Sequence, residues 1–144
     1  MFRKEFKEYN SIHCEMAALY HEAALEAGLS DSVLNILYTL VIYGNECTQS
    51  NISRLTGISR KTIHSAIRKL EAEGHILLET TGKSRPITLT DRGWALVQEK
   101  VLPLMQAEDA VLESWSPEDR NALLRLSRKY MEDFQTNLKK ENEK

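Results

Sequence analysis

The stretch Leu55–Gly74, LTGISRKTIHSAIRKLEAEG, sorts its residues onto two faces beyond a glycine and a serine. Ile52 and Leu55 close one apolar run; Ile58, Ile63, Ala66, Ile67 and Leu70 form a second at three- and four-residue spacing. That spacing marks the inward face of an amphipathic helix. Gly57 interrupts the runs where a tight turn needs positive φ. The Ser59 hydroxyl can accept a bond from an orphan N–H and cap the second helix. Arg60, His64 and Arg68 lie four apart, with Lys61 and Ser65 beside them, so they share the outward face. Solvated charges are normal on a surface helix, and the charges alone decide nothing. Two short helices joined by a glycine turn, the second with a basic face, read as a helix-turn-helix.

The period changes after Gly74. In HILLETTGKSRPITLT, His75–Thr90, two short β-prone runs flank Gly82, with Ile76 and Leu78 alternating on one and Ile87 and Leu89 on the other. This is the pattern of a hairpin. Pro86 has no N–H for a ladder and belongs near a strand start. A helix-turn-helix followed by a hairpin is a winged helix, and its wing would carry Lys83, Ser84 and Arg85 beside the recognition helix.

Longer helices are expected on both sides. Phe2, Phe6, Tyr9, Ile12, Met16, Leu19 and Ala23 stripe a helix ending at Gly28. A second helix follows, capped at Ser30 or Asp31, and Thr48 caps a short third one. Thr90 and Asp91 open a helix through Trp94, Val97, Val101, Leu104, Val111 and Trp115, which Pro103 should kink. SPED, Ser116–Asp119, combines a cap, a first-turn proline and two acids at the positive helix end. The helix it starts carries Leu123, Leu126, Tyr130, Phe134 and Leu138, and the polar tail KKENEK is expected to fray. The outer stripes exceed what a small winged module can cover, so a homodimer through residues 1–28 and 91–140 is expected around a 30–90 winged lobe. The expected architecture is one mainly α domain, 1–144, with a small β-hairpin wing.

The chain has 144 residues and a net charge of −2. Between Thr48 and Arg92 eight lysines and arginines face four acids, so this segment carries +4 and the remainder −6. A positive module between acidic flanks suits contact with a polyanion at the module. No run of about 20 apolar residues is present to span a bilayer, and MFRKEFKEYNS has no signal-like apolar core. A cytoplasmic protein with no membrane association is expected.

These motifs resemble the MarR (multiple antibiotic resistance regulator) family of bacterial and archaeal transcription factors over nearly the whole length. LSDSVLNILYTL is similar to the opening of the family's second helix. TQSNISRLTGISRKTIHSAIRKLEAEGHI resembles its helix-turn-helix through the start of the wing, and ITLTDRG its Leu-Thr-x-x-Gly wing exit. EKVLPLM with WSPEDRNALLRL resembles its last two helices. The resemblance implies a dimeric, usually repressing DNA-binding regulator, often released by a small ligand or an oxidant. One departure is that TTGKSRPITLT is shorter than the usual wing, and Lys83 stands where an acid normally precedes the wing arginine.

Other chemistries fit less well. HEAAL, His21–Leu25, begins like a zinc-protease helix but has Leu25 where the second histidine must stand. His13, Cys14 and His21 share a helix, yet His13 and Cys14 point about 100° apart, so no metal site and no cofactor is expected. Cys14 and Cys47 do not make a disulfide framework, and Cys14 is expected to be buried or indifferent rather than an oxidant sensor. No catalytic constellation stands out, so an enzyme is not expected. The expected function is a homodimeric, ligand-responsive repressor on an inverted-repeat operator in double-stranded DNA. Its expected DNA contacts are Ser59, Arg60, Lys61, Thr62, His64, Ser65, Arg68, Lys83, Ser84 and Arg85. His13, Tyr20, Tyr38 and Tyr43 are candidates to hold a small aromatic or amphipathic effector. The rival is a winged helix used as a protein-interaction scaffold, which acids or apolar residues on the second helix would favour.

Overall fold

The computed structural model describes residues 1–44, 47–79 and 85–144. The elements run α1 (Lys4–Ala27), α2 (Asp31–Tyr43), α3 (Gln49–Thr56), α4 (Arg60–Ala72), β1 (Ile76–Leu78), β2 (Ile87–Leu89), α5 (Asp91–Leu96), α6 (Leu102–Ser114) and α7 (Pro117–Asn142). Helices dominate, and the two strands form the small antiparallel sheet of a winged helix-turn-helix. The chain divides into two compact units, Met1–Leu104 and Met105–Lys144.

The core of the first unit is built from the expected stripes. Ile36 and Leu37 of α2, Ile52 of α3, Ile63, Ile67 and Leu70 of α4, and Ile76 and Ile87 of the hairpin are fully buried. Each such side chain contributes about 1.5–3 kcal/mol of transfer free energy. Register follows from this burial. Ile76 pairs with Leu89 and Leu78 with Ile87, so the inward residues of both strands face α4 and α2. A one-residue slip would turn them all to solvent. The outer side of β2 is not left bare, because Ile87 N donates to the Cys47 carbonyl at 2.9 Å.

Side-chain caps fix the helix starts. Ser30 Oγ accepts from Val33 N, Thr48 from Asn51 N, Ser59 from Thr62 N, Thr90 from Gly93 N and Ser116 from Asp119 N. Each cap satisfies an orphan donor and stabilises its helix by about 1 kcal/mol. Thr90 does more, since its hydroxyl also donates to Gly74 O at 2.6 Å and its N–H donates to His75 O. The base of the wing is thereby tied to the end of α4. Gly93 is required by this closure, because a Cβ at that position would collide with the His75 carbonyl oxygen.

Two expectations gain detail and one needs correction. α1 begins at Lys4, two residues after the approximate start at Phe2. The helix is irregular just before Pro103, where a kink is expected. The coil widens into a π-helical turn over Val97–Val101, where Leu102 N donates to Val97 O, and continues into α6. A wider turn immediately before the proline accommodates its ring and its missing N–H. The terminal KKENEK does not fray as expected: α7 is helical to Asn142, with Lys139 and Lys140 at the negative end of the helix and Lys144 paired to Glu141 at 2.9 Å. Cations there favour the last turn.

In the second unit the Arg120 guanidinium donates to Leu112 O at 3.0 Å, joining the start of α7 to the end of α6. No residue of α7 is buried. Among the described residues no single helix is long and apolar enough to cross a membrane.

Candidate nucleic-acid interface and ligand cavity

α4 divides its residues as the spacing requires. Ile63, Ala66, Ile67 and Leu70 are buried, while Arg60, Lys61, Thr62, His64, Ser65 and Arg68 are exposed. The turn before it is closely bonded. Gly57 lies in the left-handed region at φ 73° and donates to Ser53 O, Ser53 Oγ donates to Ile58 O at 2.6 Å, and Ile58 N donates to Thr56 Oγ1. These bonds fix the angle at which α4 leaves α3. Ser59, exposed at the cap, also donates to Thr62 Oγ1 at 2.9 Å, so neither hydroxyl is a loose group.

The first turn of α3 supports the basic side chains, which the sequence pattern does not announce. Arg60 Nη2 donates to Ser50 Oγ at 3.3 Å, and His64 Nδ1 donates to Gln49 Oε1 at 3.2 Å. Gln49, Ser50, Arg60, Lys61 and His64 line one shallow hollow between the two helices. Here two polar residues of the first turn of α3 meet two permanent cations and an imidazole, an arrangement suited to phosphate oxygens or base edges. The signal available for it is TQSN, in which the Thr48 cap sets two further polar side chains, Gln49 and Ser50, at the start of the helix facing α4. Arg85 is exposed, two residues before β2. Lys83 and Ser84 lie outside the described residues.

The four candidate effector residues separate. Tyr20 and Tyr38 line one cavity of about 460 Å³ with His21, Asp31, Leu34 and Asn35. His13 is elsewhere on α1, edge-on to Tyr9 with ring centroids 4.5 Å apart. Tyr43 lines a different hollow, with Cys47, Asn51 and Arg54. Sequence reasoning missed His21 and Asp31. His21 Nδ1 lies 3.0 Å from each carboxylate oxygen of Asp31 and joins α1 to the first turn of α2.

Cys14 is exposed, so the expectation of burial does not hold for it, whereas Cys47 is buried. Burial pushes the Cys47 thiol up from its ordinary value, with the nearby Arg54 pulling weakly the other way. A thiol so held is a poor nucleophile at neutral pH. Among the described residues no group of three or more metal-ligating side chains could hold an ion.

Residues 27–85 match the family model described as MarR family. No protein of curated function matches the sequence. Solved structures resemble it over almost its entire length. NMB1585, a MarR family regulator from Neisseria meningitidis, is 17% identical with a TM-score of 0.79, over 97% of this chain and 99% of that one. Staphylococcus aureus MarR in complex with salicylate and kanamycin is 17% identical with a TM-score of 0.70, over 92% and 91%. An S. aureus MepR mutant bound to an oligodeoxyribonucleotide is 17% identical with a TM-score of 0.54, over 93% and 99%. The central segment of this chain is therefore a MarR-family winged helix-turn-helix, carried on the fold that those regulators share.

Proposed function

We propose that the protein is a sequence-specific DNA-binding transcriptional regulator, acting as a homodimer on an inverted repeat inside the cell, and not an enzyme. The observation that carries this reading is the exposed basic face of α4, braced from α3 through Gln49 and Ser50. Arg60, Lys61 and His64 occupy the first turns, the part of a recognition helix that reaches base edges, while Ser59, Thr62, Ser65 and Arg68 divide between bases and phosphates. Arg85, with Lys83 and Ser84, would extend the contact to the flanking backbone. The scaffold alternative is disfavoured, because an interaction helix would place acids or apolar groups where these cations stand. The oligodeoxyribonucleotide bound to the MepR mutant agrees with this reading.

The dimer rests on the apolar surface that a single chain leaves uncovered. Phe6, Ile12, Met16 and Leu19 of α1 are exposed, and so are Leu126, Tyr130, Phe134 and Leu138 of α7. Soluble monomers rarely leave stripes of this size in water. A second copy covers both without needing another gene product. Repression released by a small aromatic or amphipathic effector in the Tyr20–Tyr38 cavity completes the reading, since a molecule preferring the DNA-incompetent arrangement lowers operator affinity. Salicylate in the S. aureus MarR structure is a ligand of that size class.

A labelled pool of random duplexes, titrated at two salt concentrations, tests the DNA reading. Binding that weakens steeply with salt is expected, because each neutralised phosphate adds about −0.9 to the log–log slope. Absence of binding at low salt would point to the scaffold.

A further inference from the structure

We infer that the cavity between α1 and α2 selects an aromatic cation rather than an aromatic acid. The cavity's size suits one small organic molecule. Tyr20 and Tyr38 give it two aromatic side chains, and Leu34 is buried at its wall. Asp31 is the one acid among its described lining residues, and no lysine or arginine is among them. An aromatic carboxylate would therefore enter a site that offers it no permanent positive partner and one negative charge.

The positive end of α2 could in principle receive an anion. It is already compensated, with Ser30 Oγ accepting from Val33 N and the Asp31 carboxylate in the first turn. His21 hydrogen-bonds to Asp31, but that contact is more than half exposed, and exposed pairs of this kind are weak. Asn35 donates to the backbone carbonyl of Asp31, not to its carboxylate. A carboxylate accepts at about four lone-pair positions, so Asp31 keeps capacity for an incoming ammonium or amidinium. Aromatic faces attract the same group through their quadrupoles. Charge and aromatic lining thus select one ligand class: a flat or compact apolar body carrying a positive charge.

For its regulatory consequence this inference rests on the effector reading above; as a statement about binding it stands on the cavity. The probes are 1-naphthylmethylammonium, its uncharged carbon isostere, and 1-naphthylacetate, titrated calorimetrically into the protein without DNA. The cation should bind at least about fivefold tighter than the isostere, the scale of one partly solvated charge pair, and naphthylacetate should bind weakest. Asp31→Asn should remove the cation's advantage and leave the isostere's affinity unchanged. Asp31→Lys should reverse the order of cation and acid. Tighter binding of naphthylacetate to the unaltered protein, or an Asp31→Asn variant that retains the cation's full advantage, would overturn the inference. The same probes are then added to the protein–DNA complex. A cation that binds the cavity but leaves DNA affinity unchanged upholds the cavity's selectivity and refutes its regulatory role.

Discussion

α4 and α7 are both amphipathic helices, and they treat their apolar faces in opposite ways. In its 13 residues α4 buries Ile63, Ala66, Ile67 and Leu70 within its own unit. Over 26 residues α7 buries none. The apolar face of α4 is fully used inside the fold, so what remains is a polar surface whose geometry is fixed by packing on one side and by Gln49 and Ser50 on the other. On α7, Leu126, Tyr130, Phe134 and Leu138 remain in water. A helix with a satisfied core face can present charges to a ligand that carries only charge and base edges. A helix with an unsatisfied one requires an apolar partner. On the function proposed above, the pair divides recognition of DNA from recognition of self.

The largest expected effect breaks the second half of this contrast. Leu126→Asp with Phe134→Asp on α7 should convert a dimer into a monomer in sedimentation velocity. Operator affinity should then fall by about 10²–10⁴, the avidity of two linked half-sites. Full-length protein that is already monomeric at micromolar concentration would remove the basis of the dimer.

Next in size is the wing closure. Gly93→Ala places a methyl group against the His75 carbonyl oxygen. It should destabilise the winged lobe by about 1–3 kcal/mol in denaturant titrations, as overpacking does. A variant as stable as the parent would show that the wing base is free to shift.

Arg60→Ala, if Arg60 grips a guanine edge, should cost about 1–3 kcal/mol and relax preference at one base pair per half-site. Arg85→Ala should instead weaken operator and scrambled duplexes about equally and make the salt slope shallower by about one unit for each phosphate no longer neutralised. Gln49→Ala sharpens the contrast further, because it leaves α4 intact and removes only the acceptor that holds His64. Its expected cost to operator binding is about 0.5–1.5 kcal/mol, the net worth of one hydrogen bond. A fully neutral Gln49→Ala would show that the α3 brace does not matter to recognition.

The smallest effect concerns Cys47. With Cys14→Ser in the background, Cys47 should resist thiol reagents in native protein and react on unfolding. Its folded thiol is raised from the ordinary value of 9.0 by burial. The neutral form is therefore the one the fold favours: stability is unaffected by this group below that value and declines as pH rises through it. Denaturation midpoints between pH 7 and 10 measure this directly.

Most of the winged lobe is legible in the sequence because its elements are local. Caps at Ser59 and Thr90, the turn at Gly57 and the two short strands each follow from a few adjacent residues. The exposed face of α4 follows from helical periodicity alone. What escapes such a reading depends on residues distant in sequence. Gln49 reaches His64 across 15 positions, and His21 reaches Asp31 across 10. No spacing rule within one element contains these pairs. His13 and Tyr43 share the chemistry of effector ligands with Tyr20 and Tyr38, but composition cannot show which of the four face a common cavity. The π-helical turn before Pro103 escapes for a different reason. A proline announces a disturbance, whereas the way the helix absorbs it depends on Val97 and Val101, which are buried and resist displacement.

The central claim is that the outward face of α4 meets DNA. Titration of one duplex, selected by the protein from random sequence, should be repeated at several salt concentrations with the parent and with an Arg60→Ala, Lys61→Ala, Arg68→Ala variant. A Lys129→Ala, Lys139→Ala, Lys140→Ala variant on α7 controls for charge. The α4 variant should bind without selectivity and show a slope shallower by about one unit for each phosphate it leaves unneutralised, while the α7 variant should match the parent. Equal behaviour of the two variants would contradict the claim.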